Sequence, residues 1–363
     1  MTTSHIRAAR TAATTGRWVE ELKANPSAWK IHWILRVAIA AEFIGHGAFG
    51  IMGKEAWLNY YAVMGIPPSA AWVLMPMTGV VDITLGLLVL VRPTRAPLAY
   101  MAFWGLFTAL LRPLSGESWW EVVERSYNFG IPLALLLFHG LGTSRREWTE
   151  RIRGVPRLTR KRARRFARAF RLIIGAFLIG HGAYGIFADK PILTQHYRSI
   201  GLTSLADDPQ VVSQAVGWFE IALGVFVLVA APTTGLLLFI CAWKISTEML
   251  YVTSGAYGAG FEVIERAGSY AAPLALICFL TILARETRAE SRRAVLRVPR
   301  RNPPAASRRS SHGNEVATPI PTHRTLRVPP PPLGRTFPTS LATHRTAPDA
   351  SVVPGYARPT GLY

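Results

Sequence analysis

Apolar residues in this chain gather in runs of roughly twenty, separated by short segments rich in Arg, Gly, Pro and Ser. A helix of that length spans the hydrocarbon core of a bilayer, about 30 Å at about 1.5 Å per residue. The runs predict eight membrane-spanning helices near residues 32–52, 70–91, 96–112, 127–142, 169–188, 211–231, 233–252 and 268–284. The fourth and eighth lie near the lower length for a full crossing. The expected fold is therefore all-α, a polytopic membrane protein.

The runs repeat. RVAIAAEFIGHGAFGI, from Arg36, aligns without a gap on RLIIGAFLIGHGAYGI, from Arg171, with ten of sixteen positions identical. GVVDITLGLLVLV, from Gly79, matches GWFEIALGVFVLV, from Gly217. EVVERSYNFGIPLAL, from Glu121, matches EVIERAGSYAAPLAL, from Glu262. Three blocks in one order indicate an internal duplication. Four spans per copy is an even number, so both copies enter the membrane in the same direction as parallel repeats. The expected organisation is a basic cytoplasmic segment (1–31), a first four-helix unit (32–142), a basic cytoplasmic linker (143–168), a second unit (169–284) and a basic, Pro-rich disordered cytoplasmic tail (285–363).

Charge sharpens this picture. Only 17% of the 363 residues are charged, yet the net charge is +20. Of 41 Lys and Arg, 34 fall on one side of an eight-span arrangement, in the N-terminal flank, the 92–95 loop, the linker and the tail. The positive-inside rule makes that side cytoplasmic, as in a bacterial-type inner membrane. The linker RRFARAFR reads either as a basic amphipathic helix on the membrane surface or as a solvated, topology-setting charge run. Linker and tail are expected to meet anionic lipid headgroups. No recognition fold accompanies the charge, so nucleic acid is not an expected partner. Residues 299–363 hold 13 of the 26 prolines and few large apolar residues, which predicts disorder. The two cysteines, Cys241 and Cys278, form no CxxC pair, so neither a thiol relay nor a zinc site is expected.

Ionisable residues inside apolar runs are costly and need a partner or a wet cavity. They recur here at matched positions. His46 and His181 lie on the first helix of each unit. Gly45, Gly47 and Gly50 surround one, and Gly180, Gly182 and Gly185 the other. Bare glycine backbone lets a neighbouring helix or a flat ligand approach. Asp82 and Glu220, matched on the second helices, are natural partners for these histidines. Each pair reads as a structural hydrogen bond in a glycine seam, as a proton relay, or as a contact to haem, metal or quinone. One clear histidine per unit is too few for a metal site, which takes three or four ligands. Arg125 and Arg266 open the fourth helices and need partners other than their neighbouring Glu, with Asp82 or Glu220 as candidates. Lys244 and Glu248, spaced i, i+4, can pair with each other; their first-unit counterparts are Gly105 and Ala109. Arg36 and Arg171 are expected to snorkel at the cytoplasmic face. Trp33, Trp57, Tyr60, Tyr61, Trp119 and Trp120 read as an aromatic belt.

Each unit resembles the DoxX-like family of four-helix membrane proteins. The resemblance rests on Arg36, FIGHGAFGIMGK, MGIPPS and DITLGLLVLV, and on Arg171, LIGHGAYGIFADK, SIGLTS and EIALGVFVLV. Asp82 stands where the family commonly has Glu. The resemblance implies a four-helix membrane bundle linked to redox or quinone-associated systems, with haem or quinone as the cofactors to consider and a membrane redox protein as the partner. It implies no defined reaction. Three functions follow as expectations: a redox-associated or accessory subunit, a small-solute or proton transporter or channel, and a scaffold docking through its tail.

Overall fold

A computed structural model of the chain describes residues 25–188 and 191–297, which are helical with no strand among them. The expected basic segment before residue 25 and the Pro-rich segment after 297 lie outside the described residues. The helices are α1 (Pro26–Met52), α2 (Leu58–Val63), α3 (Pro68–Val91), α4 (Arg95–Leu114), α5 (Trp120–Glu124), α6 (Ser126–His139) and α7 (Arg145–Thr149). They continue with α8 (Arg160–Phe187), α9 (Pro191–Ser199), α10 (Pro209–Val229), α11 (Thr234–Glu248), α12 (Leu250–Thr253), α13 (Ala259–Glu265) and α14 (Ala267–Arg297).

Six segments among the described residues are long and apolar enough to cross a membrane: Pro26–Met52, Pro68–Val91, Arg160–Phe187, Pro209–Val229, Thr234–Thr253 and Ala259–Arg292. The chain is thus built to associate with a bilayer. Large apolar side chains such as Val73, Val80, Phe103 and Phe239 point outward, where water would penalise them and lipid does not. The other two predicted spans are α4, of 20 residues, and α6, of 14.

Several boundaries differ from the sequence reading. Helix α1 begins at Pro26, six residues before position 32. Its Asn25 side chain accepts from the Ala28 N–H, and proline at the first helical position has no amide to leave unpaired. Helix α14 continues to Arg297, so residues 285–297 are helix and not disordered tail. The linker segment RRFARAFR is neither a separate surface helix nor a solvated run. It forms the start of α8, and Ala163, Phe166, Ala167 and Phe170 are buried in the protein core. Phe166 stacks on Phe279 at 5.3 Å, while neighbouring Arg164, Arg165 and Arg168 remain exposed. Arg162 donates to the carbonyls of Leu137 and Phe138 in the last turn of α6.

Arg36 and Arg171 do not snorkel. Arg36 is buried and donates to the carbonyls of Val89 (2.6 Å) and Leu90 at the end of α3. Arg171 does the same for Val227 (2.8 Å), Leu228 (2.6 Å) and Ala230 (2.6 Å) at the end of α10. The last carbonyls of a helix lack intrahelical donors, and one guanidinium can serve several.

The glycines position the site. On α1, Gly47 and Gly50 lie against Gly79 of α3. A Cβ on Gly50 would sit 2.8 Å from the Met75 carbonyl oxygen. On α8, Gly182 lies against Gly217 of α10. Gly45 and Gly180 face the opposite way: Gly45 meets the backbone of Phe261 and Glu265 on α13, and Gly180 meets Val123 and Glu124 on α5. Each half's first helix is thereby clasped by the short, broken helix of the other half. Gly185 is less crowded, its nearest neighbours being Leu193 and the Ser213 carbonyl.

Candidate functional site

In the first half, α1 carries Glu42 and His46 one turn apart, on a common face. Helix α3 crosses it through the glycine contact and brings Asp82 opposite. His46 Nδ1 lies 2.8 Å from Asp82 Oδ2. This bond orients the ring and leaves Nε2 without a protein partner. Trp57 stacks on the imidazole, with centroids 4.6 Å apart and planes at 27°. A cavity of about 80 Å³ opens beside the pair, bounded by His46, Trp57, Tyr60, Trp104, Arg112 and Asn128. Next to it, a void of about 10 Å³ is lined by Glu42, His46, Trp104, Gly105, Thr108 and Asn128. Four buried polar atoms around these spaces lack hydrogen-bond partners: Glu42 Oε2, Asp82 Oδ1, Trp104 Nε1 and Asn128 Oδ1. Buried polar groups are ordinarily paired, so four orphans in one place call for an occupant.

The second half is assembled alike but closed. His181 Nδ1 bonds Glu220 Oε2. The longer Glu220 also reaches Trp243, whose Nε1 donates to Oε1 at 2.9 Å. Asp82, one methylene shorter, leaves Trp104 Nε1 unmet at the matching position. Lys244 Nζ sits 3.9 Å from Glu220 and 3.0 Å from Glu248. Only about 10 Å³ of space remains beside His181, against Glu124, Leu193, Tyr197 and Tyr251.

Ion pairs join the halves. Lys54 Nζ lies 2.7 Å from Glu262 Oε1 and 4.0 Å over the Phe49 ring. Arg125 reaches Glu121 at 3.1 Å and Glu265, across the interface, at 3.9 Å. Arg266 holds Glu248 at 3.1 Å, pairs with Glu262, and donates to the Tyr251 hydroxyl at 2.8 Å. The expectation that these arginines meet Asp82 or Glu220 is therefore corrected. The acids one turn earlier, Glu121 and Glu262, are nearer in the helix and take that role. Arg112, unassigned by the sequence, lies 3.2 Å from Glu117 and 3.6 Å from Glu121.

The sequence reading paired His46 with Asp82, His181 with Glu220, and Lys244 with Glu248; it did not foresee that Lys244 also lies beside Glu220. It noted Glu42 only as a divergence from Phe177 in the second half, and it passed over Trp104 and Asn128. The available signal was the matched pair Trp104 and Trp243, one residue before the Gly105/Lys244 divergence. Trp57 is also no belt residue, being buried against His46. Cys241 and Cys278 are free and buried, and no cluster of three metal-ligating side chains occurs among the described residues. Comparison of the chain with protein-family models, curated proteins and solved structures yields no match.

Proposed function

We propose that this chain is an inner-membrane protein of two tandem DoxX-like four-helix units. It serves a membrane redox system as an accessory subunit and holds a flat, hydrogen-bonding headgroup of the quinone class beside His46. Eight spans follow if α4 and the α5–α6 pair also cross. Helix α4 has 20 residues, and α5 and α6 have 5 and 14 joined through Arg125. Each then measures about 30 Å. Reporter fusions after Thr143 and after Arg297 are expected to read cytoplasmic. Opposite sides would end the parallel eight-span arrangement.

One observation carries the ligand reading: the His46 cavity is open and lined by unmet polar atoms, whereas its His181 counterpart is closed. At roughly 10–15 Å³ per enclosed water, the larger cavity has room for a small ring. Trp104 Nε1 would donate to a carbonyl oxygen of the oxidised ring, His46 Nε2, with its proton at Nδ1 toward Asp82, would accept from a hydroxyl of the reduced ring, and Trp57 and Tyr60 would flank it. A bound quinone would supply two-electron chemistry. Haem does not fit, because the macrocycle is far larger than this cavity. Titrating nanodisc-embedded protein with a short-chain quinone is expected to quench tryptophan fluorescence saturably. Trp104→Phe keeps the ring and removes one N–H, weakening binding about tenfold, or about 1.4 kcal/mol. Absence of saturable quenching would end the quinone reading. A second reading, a carrier of small solutes or protons, rests on the buried acids Glu42 and Asp82 lying near this opening.

A further inference from the structure

The small void beside His46 shares His46, Trp104, Thr108 and Asn128 with the ring-sized cavity, and Glu42 and Gly105 give it a chemistry of its own. It is large enough for one water-sized occupant. Glu42, 3% exposed, and Asn128, 8% exposed, line it with oxygen atoms that meet no partner. Gly105, also on its wall, stands where the second half has Lys244. Trp104 and Thr108 correspond to Trp243 and Thr247, so the frames around the two positions match. In the second half the space is filled from within: the Lys244 ammonium lies between Glu220 and Glu248. In the first half Gly105 and Ala109 remove both members of that ion pair. Glu42, matched by Phe177, supplies a carboxylate again from the facing helix. A carboxylate is present there and an ammonium is not. The nearest cations are engaged elsewhere, Arg125 with Glu121 and Glu265, and Arg112 with Glu117 and Glu121.

We infer that this void is a site for an ammonium group, held by Glu42 and Asn128 in the place that Lys244 fills in the other half. The donor is a free ammonium ion, or a primary amine entering through the neighbouring cavity. Ammonium suits the site because it is close to water in size and donates in several directions, as Lys Nζ does. Gly105 itself cannot be refitted with lysine, since a Cβ would lie 2.8 Å from the Asn128 carbonyl oxygen. The inference does not depend on a quinone occupying the neighbouring cavity, and its test contains none.

The full chain is reconstituted in phosphatidylcholine nanodiscs, and its thermal midpoint is followed with ammonium, methylammonium, tetramethylammonium, sodium and potassium chlorides at matched ionic strength. Ammonium and methylammonium are expected to raise the midpoint saturably, and tetramethylammonium, too large for the void, is not. Glu42→Gln is expected to lower the apparent ammonium affinity at least tenfold, and Glu42→Asp to retain a weaker response. The aspartate variant separates loss of charge from a folding defect. In discs containing phosphatidylethanolamine, loss of the added-salt response would identify the lipid amine as the occupant. Equal shifts with all salts, or an unchanged response in Glu42→Gln, would overturn the site and leave the void to water or to a proton on Glu42.

Discussion

Gly180→Ala is expected to prevent the two halves from docking, at a cost far beyond that of one added methyl elsewhere in a helix. The new Cβ would meet the Glu124 amide nitrogen and lie 2.7 Å from both the Glu124 Cα and the Val123 carbonyl carbon. These are backbone atoms and cannot rotate away. Either α5 moves off α8 or α8 bends. Overpacking of this kind typically costs about 1–3 kcal/mol, and displacing α5 also disturbs Arg125 in its reach from Glu121 to Glu265. Gly45→Ala meets the same obstacle on α13, with the Phe261 oxygen and Glu265 nitrogen both 2.7 Å from the Cβ. Gly260→Ala is the control. It lies on α13 with nothing within 4 Å, and alanine there favours the helix by about 0.5–1 kcal/mol. Thermal unfolding of detergent-solubilised variants should separate these sites sharply. If Gly180→Ala and Gly260→Ala unfold together, the close backbone approach is wrong.

The same contact shows what the sequence made legible. Glycines around a histidine in an apolar run announce a close approach, because little else explains three bare positions among six consecutive residues of a lipid-length helix. They do not name the neighbour. Gly47 meets a helix of its own half and Gly45 a helix of the other, although the two glycines are two residues apart. The His46–Asp82 contact was legible for a similar reason: a buried acid and a buried imidazole each lack water, and the second helix offers a partner. Trp57 was misread because a tryptophan near a span end has the same local sequence whether it faces lipid or, as here, an imidazole. Arg36 and Arg171 were misread because snorkelling and helix capping both require a basic residue near the end of an apolar helix. Only packing against α3 and α10 decides between them. The open and closed forms of the two histidine sites depend on single differences, Asp for Glu and Gly for Lys. Their consequence appears only when a facing tryptophan comes within reach.

Arg266→Met is expected to be the most damaging single change of side chain in the interior. The guanidinium is 5% exposed and engages Glu248, Glu262, the Glu262 carbonyl and the Tyr251 hydroxyl, over whose ring it also lies at 4.5 Å. Removing it leaves two buried carboxylates with one cation each, Lys244 for Glu248 and Lys54 for Glu262. Breaking a buried pair by deleting one member costs about 3–5 kcal/mol, because the remaining charge stays desolvated. Methionine keeps most of the volume, so the loss reports charge and hydrogen bonding and not a cavity. Arg266→Lys should recover only part of the loss, since one ammonium cannot span acceptors arranged for a planar fork. The comparison is Arg146→Ala, whose ion pair with Glu150 is solvent-exposed and whose removal should leave the midpoint unchanged. The network also predicts coupling. Glu262 is shared by Arg266 and by Lys54 of the first half, so Arg266→Met and Lys54→Met together should cost more than the sum of their separate effects, because each single change leaves Glu262 one cation and the double change leaves it none. Additive losses would mean that Lys54 and Arg266 act on Glu262 independently, and the ion pairs joining the halves would then be separate contacts and not one network.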